Sequence, residues 1–425
     1  MSDARQRPTP RRGRRAVRSG FFLLMVLAGF ALTSCGAVRD DSGHPLTTLN
    51  PKGPESRAID NLANPVFLVA GIVFVLIQGA VIFMGFRFRK RRNDDTPDPV
   101  QSHGAPRLEW AWTIAPAILL GILAINNVKT IWKLEERTPD TMSVTVVGQQ
   151  WWWEYRYDLD NDGTIDIITP NQMVVPAGRQ ISLHIQSNDV IHSFWIPALN
   201  GKKDAVPGRT QGLAIEADVP GLYAGTCTEY CGLSHAKMQM EVKAVTTDEF
   251  AAWVKNQEKP AVTPVNGSEA DAGMKLFQSR CSMCHQINQF DGDNNGALRT
   301  DLGIDTAAAP ADASPSEQLL RATEIRSAML GLDKVVPNPD YREGREELTS
   351  ANAPNLTHLM TRNKFAGNLF DLYKDGEANS SELRNWLRDP SAMKPMNPDN
   401  RQGMPTLGLT EDEINKLVIY LTSLK

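Results

Sequence analysis

The sequence predicts a multi-domain membrane protein that combines a two-helix transmembrane hairpin, an all-β sandwich and an all-α domain. Two apolar runs, residues 65–86 and 111–132, each have about the 20 residues that a helix needs to cross a bilayer. Residues 140–257 contain short alternating runs broken by glycine and proline, as in a sandwich. Residues 268–425 open and close with helical patterns. The length of 425 residues fits several folded units.

Charge and cysteine content narrow the function classes. The chain has 45 Lys+Arg against 49 Asp+Glu, a net charge of −4, so no overall basic field attracts nucleic acid and we expect none as a partner. The five cysteines are an odd number. They fall into a C-x3-C pair, a C-x-x-C-H group and one isolated residue, which argues against a disulfide framework.

Residues 1–34 have the features of an export signal. The basic segment RRGRRAVR precedes the apolar run FFLLMVLAGFAL. Leu-Thr-Ser then precedes Cys35, a pattern similar to the lipobox that bacterial lipoprotein signal peptidase cuts after the cysteine thiol is acylated. The sequence therefore predicts a lipid anchor at Cys35 and an exported segment over residues 35–64. A simple signal with a chance cysteine and an uncleaved first span are the alternatives.

The basic loop RFRKRR, residues 87–92, orients the hairpin of residues 65–132. By the positive-inside rule this loop is cytoplasmic, so the N-terminus and all residues after Trp132 face outward. A lipobox requires the same outward N-terminus. We therefore expect a two-pass protein of the bacterial plasma membrane with its later domains on the outer side. Two buried core helices are the alternative.

The stretch GTCTEYCGLSHAKM carries soft and borderline metal ligands. Cys227 and Cys231 are four residues apart, and His235 and Met238 follow. Thiolate, imidazole and thioether groups select copper or zinc over magnesium or calcium. His192, in the strand-like run VIHSFWIP, supplies a second imidazole. Structural zinc is the alternative, although zinc sites usually have C-x2-C spacing and no methionine.

The C-x-x-C-H group at Cys281, Cys284 and His285 is the attachment signature of a c-type haem. Two thioether bonds hold the porphyrin while the histidine binds iron. A thiol redox pair is the alternative. The sixth iron ligand should be a methionine, because methionine raises the potential into the range of an electron carrier.

The pattern C-x-E-x-C-G-x-x-H-x-x-M resembles the binuclear CuA centre of cytochrome c oxidase subunit II. The resemblance continues across residues 142–245, including DAVPGR, and covers both membrane spans. The segments PNLTHL and WLRDP resemble the interior of cytochrome c domains fused to subunit II in bacterial haem-copper oxidases. The resemblance implies a cupredoxin-like sandwich at 140–257, a linker at 258–267, and a cytochrome c domain at 268–425 with a long insertion at about 286–350.

The resemblance implies a complete ligand set for copper. Its members are His192, Cys227, the backbone oxygen of Glu229, Cys231, His235 and Met238. The two cysteines would bridge two coppers, each histidine would cap one copper, and the last two donors would be weak axial ligands. The side chain of Glu229 is implied as a ligand to a magnesium or manganese ion shared with subunit I, since a carboxylate suits such a hard cation. A solvated loop glutamate is the alternative.

Three further residues take roles from the resemblance. Trp151 would lie on the surface above the copper site and receive electrons from cytochrome c, with Trp152 as the alternative if the register slips. Glu109, at the cytoplasmic start of the second span, would mark the entrance of a proton pathway, or else serve as an interfacial anchor. Met404, ahead of the last helix, matches the position of the sixth iron ligand. Other candidates for that ligand are Met393, Met396 and His358.

The resemblance therefore implies the electron-transfer subunit II of a proton-pumping cytochrome c oxidase. Electrons would pass from the fused haem c through CuA to the haems of subunit I, where oxygen is reduced to water. Expected partners are subunits I and III, and cytochrome c or a quinol–cytochrome c reductase as donor. A nitrous oxide reductase-like enzyme would need more than the seven histidines present. A redox sensor or copper-delivery protein would need exchangeable metal, and quinol oxidase subunits lack the cysteines.

Overall fold

The computed structural model describes residues 45–89, 104–161, 165–281, 284–285, 287, 353–397 and 402–425. The chain divides into two compact units, residues 1–50 and residues 51–425. The second unit holds all of the elements below. The predicted signal segment, Cys35 and most of the predicted insertion at about 286–350 lie outside the described residues.

Two long helices form the predicted hairpin: α1, Pro54–Arg87, and α2, Pro106–Glu135. Both are long and apolar enough to cross a membrane, with mean hydropathies of 2.8 and 1.8 in their most apolar windows. Helix α1 begins well before the predicted residue 65 because its polar first turn is held on the sandwich. Ser56 Oγ donates to Ala198 O (2.7 Å), and Ser56 N donates to Leu199 O (3.1 Å).

The β-domain contains ten strands. They are β1 Met142–Gln149, β2 Trp152–Asp158, β3 Ile167–Pro170, β4 Gln172–Pro176, β5 Ile181–Ser187, β6 His192–Phe194, β7 Lys203–Ala205, β8 Gln211–Ile215, β9 Gly221–Thr226 and β10 Gln239–Val245. One sheet has the order β3-β2-β1-β5-β8, a second has β4-β10-β9, and β6 pairs with β7. The pairs β1–β5 and β4–β10 are parallel and the other pairs are antiparallel.

Aromatic side chains fill the centre of this domain. Trp153 and Tyr155 on β2 each meet Phe194 on β6 edge-to-face, with ring centroids 5.4 and 6.4 Å apart. Such contacts add to the stabilisation from burial itself. The segment TDEFAAWVKNQ, whose capping pattern predicts a helix capped by Thr247, forms α3, Thr247–Gln257, and its cap is Thr246 instead. The core therefore packs directly beneath the start of β6, where His192 lies.

The C-terminal domain has a helical frame. Its helices are α4 Glu269–Arg280, α5 Ser380–Arg388, α6 Pro390–Met393 and α7 Glu411–Leu421. Helices α4 and α7 cross closely, since a Cβ on Gly273 would lie 2.2 Å from Lys416 O. Close by, Phe277 meets Tyr420 edge-to-face at 6.0 Å. The helical prediction is confirmed, because these crossing helices bury the apolar faces that the sequence pattern indicates.

Two short hairpins, absent from the sequence-based prediction, accompany these helices. They pair β11 Lys364–Phe365 with β12 Phe370–Asp371, and β13 Tyr373–Lys374 with β14 Glu377–Ala378. In the second turn Asp375 and Gly376 have φ of 53° and 84°. An Asp-Gly pair is favoured in such turns because both positions need positive φ.

Candidate copper and haem sites

The copper-ligand stretch forms the loop between strands β9 and β10. Cys227 directly follows β9, and its amide donates to the carbonyl of Met238 (3.0 Å), which closes the loop just before β10. Within the loop, Gly232 has φ of 108°, and its carbonyl accepts from His235 N at 3.1 Å. Glycine tolerates this backbone conformation without steric cost. The hairpin therefore folds both cysteines, His235 and Met238 back toward one point.

The predicted copper donors converge there. Cys227 Sγ lies 3.7 Å from Cys231 Sγ, 4.0 Å from His192 Nδ1 and 3.3 Å from Glu229 O. Cys231 Sγ lies 3.5 Å from His235 Nδ1 and 3.8 Å from Met238 Sδ. Each thiol thus has its own imidazole and its own weak donor, and the two thiols face each other. This arrangement fits two coppers bridged by two sulfurs better than one tetrahedral zinc.

The electrostatics of the two thiols favour the binding of a cation. The hydrogen bond with Cys231 lowers the pKa of Cys227 to about 3, whereas the same contact raises the pKa of Cys231. One thiol of the pair therefore ionises readily. The second thiol ionises only beside a compensating positive charge, which a metal ion provides. Both side chains are buried, so that charge is not screened by water.

His192 is oriented by Asp189. Its Nε2 lies 2.7 Å from Asp189 Oδ1, which turns Nδ1 toward Cys227. Burial alone lowers the pKa of His192, but the bonds to Asp189 and Cys227 outweigh it and raise the pKa. On the other face, a Cβ on Gly148 would lie 2.8 Å from His192 Cδ2, so strand β1 leaves room for the ring only with glycine there.

We expect Asp189→Asn to weaken copper binding about 10-fold, because partners of a metal-binding histidine typically contribute 10- to 100-fold to affinity. Asparagine keeps the size of the side chain, but a nitrogen replaces one of the two carboxylate oxygens. Asp189 now accepts from Gln150 N and from His192 Nε2, and the new nitrogen must face one of these two donors. Titration with a competing chelator measures the effect. Asp248→Asn, on the exposed start of α3, is the control, and equal chelator midpoints for the two variants would contradict the role of Asp189.

The haem-attachment residues share one turn after helix α4. The carbonyl of Cys281 accepts from Cys284 N (3.1 Å) and from His285 N (2.9 Å). His285 Nδ1 lies 2.9 Å from Pro354 O, and because a carbonyl only accepts, Nδ1 carries the proton and Nε2 is left to bind iron. Burial lowers the pKa of His285, which favours the neutral ligand form. Burial also raises the pKa of Cys281 to about 11.

The candidate sixth ligands have different surroundings. Met404 packs against the C-terminal core that contains Cys281, whereas Met396 packs against the sandwich core. The sulfur of Met396 accepts from Met404 N at 3.2 Å. His358 is buried with Nδ1 3.0 Å from Lys425 O and Nε2 3.2 Å from Gln257 O, so both ring nitrogens face backbone carbonyls. This arrangement favours Met404.

Trp151 is 2% exposed and is not the surface residue that the resemblance implies. The C-terminal domain covers it. Lys394 Nζ donates to Trp151 O (2.6 Å) and to Ala366 O (3.1 Å). On the other side, the indole Nε1 of Trp151 donates to Cys231 O at 3.0 Å. Trp151 therefore lies between the C-terminal domain and Cys231, a predicted copper ligand.

Two further predicted residues lie apart from this centre. Glu109 is exposed on α2, and its Oε1 accepts from Ala105 N at 3.0 Å, so the carboxylate caps the helix start. Glu229 is exposed on the copper loop, and its carbonyl oxygen lies 3.3 Å from Cys227 Sγ.

Sequence reasoning missed three residues at these sites: Asp189, Arg362 and Lys394. Asp189 has a weak signal, since it lies three residues before His192. The other two are isolated basic residues, which are almost always exposed unless paired. Here burial lowers the pKa of Lys394 to about 7 and that of Arg362 to about 9. No local pattern marks either one as buried.

Comparison with known proteins covers almost the whole described chain. Residues 158–245 match the family model "Cytochrome C oxidase subunit II, periplasmic domain", and residues 50–130 match its transmembrane domain. Residues 270–425 match "Cytochrome c". These three matches fall on the hairpin, on the β-domain from the end of β2 onward, and on the C-terminal domain.

Curated relatives match over most of their length. Cytochrome c oxidase subunit 2 of Alkalihalophilus pseudofirmus is 30% identical over 390 residues, covering 89% of this chain and 91% of the relative. That of Bacillus sp. strain PS3 is 31% identical, covering 80% of each. Among solved structures, the periplasmic domain of subunit II of cytochrome oxidase of Bradyrhizobium japonicum is 31% identical over 28% of this chain and 96% of that domain, with a TM-score of 0.27.

The family models account for both predicted cofactors, because the subunit II domain implies CuA copper and the C-terminal domain implies haem c. The hairpin match indicates a two-pass membrane protein with a periplasmic domain. The chain therefore belongs to the cytochrome c oxidase subunit II family, with a cytochrome c domain fused behind the copper domain, and is a subunit of an oxygen-reducing terminal oxidase.

Proposed function

We propose that this chain relays electrons from a donor outside the membrane, through the haem held at His285 and the copper pair held at Cys227 and Cys231, to the haems of subunit I. One observation carries the proposal. Trp151 contacts the C-terminal domain through its carbonyl and the copper loop through its indole Nε1. Trp151 therefore contacts both electron-carrying domains, and it bonds directly to Cys231, a proposed copper ligand.

The copper ligands in this proposal are His192, Cys227, the carbonyl of Glu229, Cys231, His235 and Met238. When bound, two coppers sharing two thiolates would accept one electron over both metals with little change in geometry. Burial and loop closure hold these ligands in place. Four of the side chains are buried, those of Cys227, Cys231, His192 and Met238. The hydrogen bond from Cys227 N to Met238 O closes the loop.

The haem ligands in this proposal are Cys281, Cys284, His285 and Met404. Arg362 supports a haem in this domain, because its side chain is buried and its Nε has no hydrogen-bond partner among the described residues. An orphaned buried donor of this kind is costly unless a ligand satisfies it. A haem propionate is the charged acceptor that would do so.

Several finer roles complete the proposal. Glu109 would mark the entrance of the proton pathway, and the side chain of Glu229 would bind a magnesium or manganese ion shared with subunit I. Cys35 would carry the lipid anchor. Subunits I and III are the proposed membrane partners, with cytochrome c or a quinol–cytochrome c reductase as the electron donor.

Because Trp151 is covered, we expect electrons from outside to reach the fused haem first.

Single-electron photoreduction of the purified oxidase tests this order of transfer. Haem c should be reduced first and then reoxidised as the copper absorbance changes. The two signals should share one rate constant that is independent of protein concentration, because both centres belong to one chain. Copper reduction before haem c reduction, or a rate that increases with protein concentration, would contradict the proposal.

A further inference from the structure

Lys394 is a buried lysine at the meeting point of the two domains. Its side chain belongs to the segment after α6 and is 3% exposed. The ammonium donates to Ala366 O within its own domain and to Trp151 O on the copper domain, at 3.1 and 2.6 Å. Lysine is almost never fully buried unless its charge is paired or hydrogen-bonded. Here one of the two hydrogen bonds that compensate for the burial of Lys394 is made to the other domain.

The backbone at Gly367 packs closely against Lys394 Nζ. Gly367 has φ of 79°, and a Cβ there would lie 2.4 Å from Lys394 Nζ and 2.8 Å from Trp151 O. Glycine is thus required at the contact both by its backbone conformation and by the close approach of the two domains. The carbonyl of the same Gly367 accepts from Gln239 N at 3.2 Å.

Other contacts across this boundary also come from the copper loop and the strand that follows it. Lys237 Nζ donates to Met393 O (2.9 Å), and Ser234 Oγ donates to Pro395 O. The C-terminal residues involved lie on either side of Lys394 in sequence. The segment 393–395 therefore lies against residues on both sides of His235, and Lys394 is its buried centre.

We propose that Lys394 is a positioning residue that locks the cytochrome domain onto Trp151 in one orientation. This inference rests on the proposed electron relay and names the side chain that sets its geometry. An apolar contact is non-directional and allows sliding. A buried ammonium must instead find two carbonyls at hydrogen-bond distance, one from each domain, so only the orientation that presents Trp151 O satisfies it.

Amide hydrogen exchange on the full chain within the purified oxidase measures this docking directly. The amide of Gln239 reports the docked state, because it donates across the boundary to Gly367 O. The buried amides of Met142, bonded to Gln180 O, and Ile414, bonded to Thr410 O, report the folding of each separate domain. In Lys394→Met we expect protection at Gln239 to fall about 10- to 100-fold, since two buried carbonyls lose their hydrogen-bond donor. Protection at Met142 and Ile414 should stay unchanged.

The matched control is Lys374→Met, which removes an exposed lysine from the β13 strand of the same domain and should leave all three amides unchanged. Equal Gln239 protection in the Lys394 and Lys374 variants would overturn the proposal. A measurement on the unmodified protein covers the case in which Lys394→Met unfolds the domain. An amine-acetylating reagent should modify Lys394 at least 10-fold more slowly than Lys374, and equal rates would also overturn it.

Gln239 protection tests the role of Lys394, and the haem-to-copper transfer rate tests the relay, so the two proposals can fail independently. If Gln239 protection falls in Lys394→Met while haem-to-copper transfer in the unmodified protein still shows one concentration-independent rate, both ideas stand. If Gln239 protection is unaffected but that rate is still observed, the relay holds and Lys394 is not its positioning residue. If docking depends on Lys394 but haem c does not reduce copper, the relay fails while the docking role remains.

Discussion

Cys227→Ser should abolish the binuclear copper centre, while the domain keeps its fold and haem c stays attached. Serine removes one of the two sulfurs proposed to bridge the coppers, and a hydroxyl is a hard, weakly acidic donor that does not replace a thiolate for copper. The site is buried, with Cys227 4% exposed and Cys231 2% exposed, so water cannot take over as a ligand without opening the loop. We expect the mixed-valence copper signal in the EPR spectrum to disappear.

The functional consequence is a block between the two cofactors. Electrons supplied to the variant should accumulate on haem c, and oxygen consumption should fall to background. Cys284→Ala is the matched control, because it removes an exposed thiol of the haem signature and leaves the copper loop untouched. That variant should lose one thioether bond and keep the copper EPR signal. A Cys227→Ser protein with an intact mixed-valence signal would exclude the bridging role.

Met404→Ala should remove the low-spin His–Met spectrum of haem c and lower its reduction potential. Methionine raises the potential relative to other axial ligands, and axial ligation as a whole covers a range of about 0.8 V. We therefore expect a fall on the order of 0.1 V or more. The haem would then reduce copper more readily but accept electrons from its own donor less readily, so steady-state haem c should be more oxidised.

Met396→Ala is the matched control for this prediction. Met396 packs against the sandwich core, and its sulfur accepts from Met404 N, so its loss should change packing but leave the iron ligand in place. Redox titration followed by optical absorbance compares the two variants. If Met396→Ala removes the low-spin spectrum and Met404→Ala does not, the ligand assignment is reversed.

The features that the sequence determined by itself are those with a local cause. The membrane spans follow from continuous apolar runs, and the helix over 247–257 follows from capping chemistry. The C-x3-C loop with His235 and Met238 is equally local, because a hairpin between β9 and β10 folds adjacent ligands together. His192 is 35 residues away from Cys227, so the sequence offered it only as a candidate on a strand-like run, and the fold places it 4.0 Å from Cys227 Sγ.

Tertiary structure decided which residues support those sites. Helix α1 extends back to Pro54 because its first turn forms hydrogen bonds to the sandwich. A hydropathy pattern does not predict these bonds. Trp151 is buried, contrary to expectation, because the C-terminal domain covers it. Lys394, which is 243 residues away in the sequence, donates to its carbonyl. An isolated lysine in a polar segment predicts exposure. Only the meeting of Trp151 O and Ala366 O makes its burial favourable, and that meeting is a property of the fold rather than of any segment.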